Sequence, residues 1–339
     1  TITVQADWLP HAELGYLYQL VGAGYTVDVA GAAVEGPLVD HDGRDTGVRL
    51  RIASGGAATG FEPASSLMYR DDGALLGIAH TSESVRFSTT APTVAVESGL
   101  ERNPQMIMWD PATYPDVAGI ADLAAQRVLV RAFQGELFVD FLVGTGVLLG
   151  DQVDSSFTGG PELFVQDEGR SAQQGFATSD EILFEQLDPT WRKPISFQYL
   201  DEVGWDDYAQ SVVVKPETVG AEADCLTKLV PMLQQATADF VAAPQHAIDV
   251  ILDAVAQYGG NFAWTYTQEE ADAAVAVMGR DGIVVAGADG VLGNFDLARV
   301  GRQADAAAPL VTAQGGEVRT AIRADDIATN QFIDTSIDL

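Results

Sequence analysis

Val4-Gln5-Ala6-Asp7-Trp8-Leu9-Pro10-His11-Ala12-Glu13 ends a short apolar run, passes through a polar, aromatic turn and enters a helical pattern. Ile2 and Val4 alternate with Thr1, Thr3 and Gln5, the period of a strand. Pro10 cannot continue a central strand and biases Leu9 towards an extended backbone, so the chain must leave the sheet near Asp7-Trp8. Leu14, Leu17, Tyr18 and Val21 recur at helical spacing, which makes residues 7–13 a strand-to-helix loop. In open α/β sheets such loops, at the carboxyl ends of strands, are where ligands sit. Trp8 offers a flat apolar face with acids on both sides and an imidazole nearby. The plainer alternative is that Trp8 packs under the loop while the acids are solvated.

Outward from this stretch, strand and helix patterns alternate, which argues for α/β layers. Residues 25–30, 49–53 and 74–80 read as further strands, and the third of these runs into the polar Thr81-Ser82-Glu83. Between them, the small residues 54–60 precede a helix and form either a ligand-facing turn or an ordinary tight one; no G-K-[ST] follows, so this is not a phosphate loop. Thr93 to Val96 is taken as the start of a second lobe. Trp109-Asp110-Pro111 reads as a loop, residues 116–123 as a short helix, 128–130 as a strand, and Phe133-Gln134-Gly135-Glu136 as the turn before a helix from Leu137. Gln173 to Glu181 repeats the strand-to-polar-loop pattern, with Ser179 and Asp180 at positions that could also serve only as helix caps.

Residues 195–200 and 211–214 read as strands, the latter re-entering the first lobe. Two lobes joined by returning strands make a hinge around a cleft. The expected division is residues 1–90 and 205–339 for a discontinuous first lobe and 91–204 for the second. Two helices broken near Pro244 follow, then a capping box at Thr267 and Glu270 opening a helix that ends near Gly279. Residues 287–296 are turn-rich, and the chain after Pro309 is polar and mixed, a tail that either wraps the lobe or hangs loose.

Composition narrows the function. The 339 residues are 47% hydrophobic, ample for a real core, and 49 acidic against 18 basic residues give a formal charge of −31. Such a surface repels nucleic acid and anionic membranes. Cys225 is the only cysteine and falls in an apolar helical stripe, so it reads as a buried structural thiol. No run is long enough to span a bilayer, and a chain that begins directly in a strand reads as a mature or trimmed product. His11, His41, His80 and His246 lack metal-site spacing, no nucleophile elbow or dinucleotide fingerprint is present, and no cofactor is expected.

Asp7-Trp8-Leu9-Pro10, Gln105-Met106-Ile107-Met108-Trp109-Asp110-Pro111, Gln173-Gln174-Gly175-Phe176, Gly204-Trp205-Asp206-Asp207-Tyr208 and Gly293-Asn294-Phe295-Asp296 together resemble the substrate-binding proteins of ABC importers. The nearest branch is that of the nitrate, sulfonate, taurine and thiamine-precursor binders, related to thiamine pyrimidine synthase. The resemblance runs in order to about Val300. It implies a type II periplasmic-binding-protein fold, with two α/β lobes, a two-segment hinge and a ligand in the cleft. It also implies an extracytoplasmic monomer, periplasmic or lipid-anchored, that serves permease and ATPase subunits.

Carried over residue by residue, the resemblance nominates Asp7, Trp8, His11, Glu13, Gly60, Glu62, Ser82, Trp109, Phe133, Glu136, Ser179 and Asp180 as ligand-binding. Where the thiamine-precursor binders show Asn then His after D-W-x-P, this chain has His11 and Glu13, and the synthase's cysteine-rich motif is missing. The nominated acids would repel a free anion, whereas carboxylates accept from ring or amino N–H groups and aromatic faces hold a planar ring or a cation. The expected ligand is therefore a small nitrogen-containing, planar or cationic solute, a pyrimidine-type thiamine precursor being the leading example. Sulfonate, nitrate or another organic anion is the alternative. A pyrimidine-synthase-like enzyme and a sensor protein are the rivals from other classes.

Overall fold

The computed structural model describes residues 1–70 and 73–339. Its strands form two sheets. The first has seven strands: β1 (Ile2–Gln5), β2 (Thr26–Asp28), β3 (Ala33–Val39), β4 (Asp45–Ala53), β5 (Leu76–Ala79), β6 (Val94–Ser98) and β12 (Ser211–Val214). Their spatial order is β2-β3-β4-β1-β5-β12-β6. The second has five: β7 (Gln105–Trp109), β8 (Leu129–Arg131), β9 (Val153–Asp154), β10 (Ser171–Phe176) and β11 (Ser196–Tyr199), in the order β11-β7-β10-β8-β9. The chain moves between sheets twice, from β6 to β7 and from β11 to β12.

β1 lies between β4 and β5 and is parallel to both, so its carboxyl end sits at the middle of one sheet edge. Beyond it the chain peels away as Pro10 requires: Ala6 still donates to the Ala53 carbonyl at 2.8 Å, and helical structure begins at Ala12 and continues over Gly15–Gln19. Leu14, Leu17 and Tyr18 are buried against the long helices 223–242 and 245–258. These two helices, the break at Pro244 and the reciprocal Thr267–Glu270 cap on helix 268–280 are as the sequence patterns indicate.

Four expectations are corrected, and one strand, β3, is new. The run at 93–96 is not in the second lobe: β6 pairs antiparallel with β12 in the seven-stranded sheet, so the first crossing follows Ser98. β3 escapes the alternation test because Gly36-Pro37 interrupts it; the proline is tolerated where the β3–β4 register shifts. Trp109 is the last residue of β7 rather than part of a loop, with antiparallel neighbours β10 and β11 on either side. Pro309 does not open the tail but lies inside helix 297–313, whose amino end is capped by Asp296 accepting from the Ala298 amide at 2.8 Å. The tail beyond it wraps the first lobe, with Thr329 donating to the Ala95 carbonyl at 2.9 Å. Cys225 is half-buried on helix 223–242 rather than in the core.

The lobes meet through packed side chains. Helix 268–280 packs on helix 177–182 and helix 297–313 on helix 137–144 across the lobes, while within the first lobe helix 297–313 also packs on helix 81–86. The two crossings are tied by Arg299, which donates to the Glu101 carbonyl on the first crossing at 2.8 Å and to the Asp206 and Asp207 carbonyls on the second at 3.0 and 3.2 Å. Its guanidinium lies 3.7 Å from the Tyr208 ring centroid. Buried Arg with several carbonyl acceptors and an aromatic face is a rigid joint.

Candidate functional site

The loop after β1 is held down by the turn after β4. Gly55 donates to the Trp8 carbonyl at 3.0 Å, and a Cβ on Gly55 would lie 2.4 Å from the Ala6 oxygen and 2.5 Å from that of Asp7. Only glycine permits this approach. Gly56, at φ +57, leaves room for the Trp8 ring, which a Cβ there would meet at 2.9 Å. The small-residue run at 54–60 is thus the floor under Trp8. Gly60, at φ +67, ends the turn and faces open space.

Trp8 is half-buried and framed by rings. Its centroid is 5.7 Å from Phe61 and 6.3 Å from Trp264, and Trp264 lies 6.4 Å from the His11 imidazole and stacks on Tyr266 at 6.2 Å. Trp264 donates to the Pro10 carbonyl at 3.1 Å, and the Tyr266 hydroxyl accepts from the Ala12 amide at 3.2 Å. Phe61 is 63% exposed and sits in the left-handed region at φ 62, a conformation that costs a non-glycine residue of order 1 kcal/mol and often marks a functional position. Neither Phe61 nor the 262–266 segment was nominated from the sequence, although Phe262-Ala263-Trp264-Thr265-Tyr266 is the densest aromatic stretch in the chain.

Behind these rings lies a cluster of acids and imidazoles drawn from both lobes. His11 bonds the Leu9 carbonyl through Nδ1 at 2.7 Å, and its Nε2 is 3.6 Å from Glu13 and 3.3 Å from the Gln210 side chain. Glu13 in turn accepts from Thr178 of the second lobe. His80, at the end of β5, is 3.3 Å from Asp207, whose carboxylate also accepts from Ser82 and Asn103, both at 2.6 Å. Gln210 holds φ 47, a second left-handed non-glycine residue at this junction.

The charges are set by competition between burial and pairing. Burial works against a proton on His80, but Asp207 wins and lifts its pKa to about 9. Burial likewise opposes charge on His11, yet Glu13 and Asp7 carry its pKa above the ordinary value. Gln210 places its amide nitrogen 3.3 Å from His11 Nε2, while its side-chain oxygen is buried without a partner. Glu13 and Asp207 stay below the usual carboxylate range because His11 and Thr178, and His80, Ser82 and Asn103, outweigh their burial. Asp7 goes the other way: burial raises it to about 6 against the pull of His11 and His80, and its Oδ1 is buried with no hydrogen-bond partner.

Of the nominated residues, Asp7, Trp8, His11, Glu13 and Ser82 therefore meet at one place. Glu136 of the second lobe joins them electrostatically, its pKa raised by burial in spite of His80 and of a hydrogen bond from Gln174. Asp180 is within electrostatic reach of Glu13 and is raised to about 6 by burial, while accepting from the Phe176 amide at 2.7 Å. The rest do not converge. Trp109 is 2% exposed within a hydrophobic cluster. Glu62 pairs with Arg70. Phe133 packs on Phe157 with centroids 4.8 Å apart, and Ser179 is exposed, its hydroxyl donating to the Phe176 carbonyl at 3.3 Å. His80, Thr178, Asp207 and Gln210 join the cluster unannounced, because only long-range strand order brings residues 80, 178 and 207–210 to the β1 edge. Among the described residues no group of three or more acidic, histidine or cysteine side chains is arranged to hold a metal.

Two lobes joined by two crossings, with polar loops from both facing each other at strand ends, are the architecture of the periplasmic-binding-protein fold, and the chain adopts it in the type II arrangement. No family model and no curated protein matches the chain. Solved structures do. The ligand-binding component of an ABC-type import system from Staphylococcus aureus, with zinc bound, is 9% identical over 100% of both chains, with a TM-score of 0.59. The alkanesulfonate-binding protein SsuA from Xanthomonas axonopodis pv. citri, bound to MOPS, is 11% identical over 97% of this chain and 98% of that one, with a TM-score of 0.54. A Candida albicans gene product that defines a protein family with the generic periplasmic binding protein fold is 12% identical over 98% and 97% of the two chains, again at 0.54.

Proposed function

We propose that the chain is the solute-capturing component of an ABC importer, working outside the cytoplasmic membrane as a monomer and handing its cargo to permease and ATPase subunits. The cargo on this reading is a small nitrogen-containing, planar or cationic molecule of the thiamine-pyrimidine-precursor kind. The observation that carries it is the Asp7 carboxylate, with one buried oxygen unpartnered, next in the chain to Trp8, whose ring is framed by Phe61 and Trp264. A buried unpaired acceptor is costly and is offset by an N–H or cationic group, while a flat ring is matched by the indole face. The net charge of −31 adds long-range attraction for a cation and excludes nucleic acid as a partner.

Capture of a small organic anion is the second reading. It is favoured by one observation, the imidazole of His80 held protonated by Asp207. A thermal-shift screen against aminopyrimidines, polyamines, alkanesulfonates and nitrate separates the two. The proposal predicts a rise in Tm with an aminopyrimidine or an amine, since a ligand of the folded state stabilises it by about 2.7 kcal/mol at a hundredfold excess over Kd. Shifts confined to sulfonates or nitrate would overturn it in favour of the anion.

A further inference from the structure

His80 and Asp7 differ in the partners they have left free. Asp207, 1% exposed, spends its carboxylate on three donors: the His80 ring at 3.3 Å and Ser82 and Asn103 at 2.6 Å each. This fixes the ring through Nδ1, and in the imidazolium that Asp207 favours Nε2 is a second donor. Among the described residues Nε2 has no hydrogen-bond partner, and His80 is 26% exposed, so the edge is reachable. The acids in electrostatic reach of His80 are Asp7, Glu13, Glu83 and Glu136 besides Asp207. Glu13 is taken by His11 and Thr178, and Glu83 by the Ser65 hydroxyl at 2.6 Å and the Ser65 amide at 3.3 Å. Glu136 has Gln174. Among these groups that leaves the His80 edge without an acceptor and one buried Asp7 oxygen without a donor, the two residues being within electrostatic reach of each other.

A ligand carrying only a cation would lie beside a like-charged imidazolium, and one carrying only an acid would lie beside Asp7 and Glu136. We propose that His80 is the contact for an acidic group on the captured solute, with Asp207 as its positioning residue, so that the ligand is an ampholyte: a nitrogen cation or N–H group for Asp7 and an acid for His80. The inference rests on the importer reading above and narrows its cargo. Asp207 lies on the second crossing and Asn103 on the first, so the acid contact is braced against both strands of the hinge.

Calorimetric titration of the whole chain with para-aminomethylbenzoate, benzylamine and benzoate tests it, since the three share one ring and differ only in charge. The expected result is that the ampholyte binds at least about tenfold more tightly than benzylamine, the worth of one charge-assisted contact. In His80→Gln that advantage disappears while benzylamine still binds. In Asp207→Asn the ampholyte's advantage is lost at a lower pH than in the wild type, a readout that a purely structural role would not move. Equal affinities for the ampholyte and benzylamine in the wild type, or an advantage that persists in His80→Gln, would overturn the inference and leave the importer reading standing. Binding of neither nitrogen compound to the wild type overturns both. The wild-type series alone decides the matter should a variant fail to fold.

Discussion

Asp7-Trp8-Leu9-Pro10 and Trp109-Asp110-Pro111 are built from the same residue types and do opposite work. Trp8 stands beyond the end of a parallel strand, where the chain must turn away from the sheet, and its half-buried ring is framed by Phe61 and Trp264. Trp109 is the last residue of a strand flanked by two antiparallel neighbours, five buried residues in a row, and points into the core. The acids divide in the same way. Asp110 accepts from the Ala112 amide at 2.9 Å and the Thr113 hydroxyl at 2.8 Å, closing its own turn, whereas one Asp7 oxygen has nothing to accept. A motif's composition names the groups available; its place relative to the sheet decides whether they are spent on the fold or left unpartnered.

The contrast is open to direct attack. The largest effect expected is on stability: Trp109→Ala should cost about 3–5 kcal/mol by opening a cavity in a packed core, and Trp8→Ala about 1–2 kcal/mol, both read from urea unfolding. Equal costs would erase the distinction between the two tryptophans.

The paired acids sharpen it. Because burial lifts the Asp7 carboxyl to about 6, above its ordinary 3.8, ionising it penalises the folded state. The penalty is absent below about pH 4 and complete above pH 6. Asp7→Asn should therefore stabilise the protein by about 1–2 kcal/mol at pH 8, a figure reduced because Asp7 is only half-buried, and the gain should vanish towards pH 4. Asp110→Asn should instead destabilise by about 0.5–1 kcal/mol, having weakened two satisfied hydrogen bonds. A stabilising Asp110→Asn, or an Asp7→Asn gain that persists at pH 4, would contradict the assignment.

The smallest effect belongs to the half-exposed Arg280–Glu181 pair, which joins the lobes at 2.6 Å. Glu181→Gln should change stability by less than about 1 kcal/mol, and the difference should shrink further in high salt. A larger, salt-insensitive loss would mean that this pair, rather than packing between helices 268–280 and 177–182, holds the lobes together.

Much of the frame is readable without coordinates because it follows from local periodicity: β1, β10, β11 and β12, the break at Pro244 and the Thr267–Glu270 cap are all set by nearest neighbours. What escaped depends on partners. β3 hides behind Gly36-Pro37, whose misfit is absorbed by a register shift with β4. β6 looks like the opening of a new lobe until its pairing with β12 is seen. Helix 297–313 is obscured by Pro309, which the helix accommodates. In the site, Asp7, Trp8, His11 and Glu13 are legible as a strand exit. His80 and Asp207 are 127 residues apart and acquire meaning only when sheet order joins them.

The most direct test of a solute held at the β1 exit is isothermal titration of an aminopyrimidine into the wild type, Trp8→Ala, Asp7→Asn and Trp109→Phe. Binding to the wild type and to Trp109→Phe with matching Kd, and weakening by at least about tenfold in both Trp8→Ala and Asp7→Asn, is the predicted result. Unchanged affinity in Trp8→Ala and Asp7→Asn, or a comparable loss in Trp109→Phe, would contradict it.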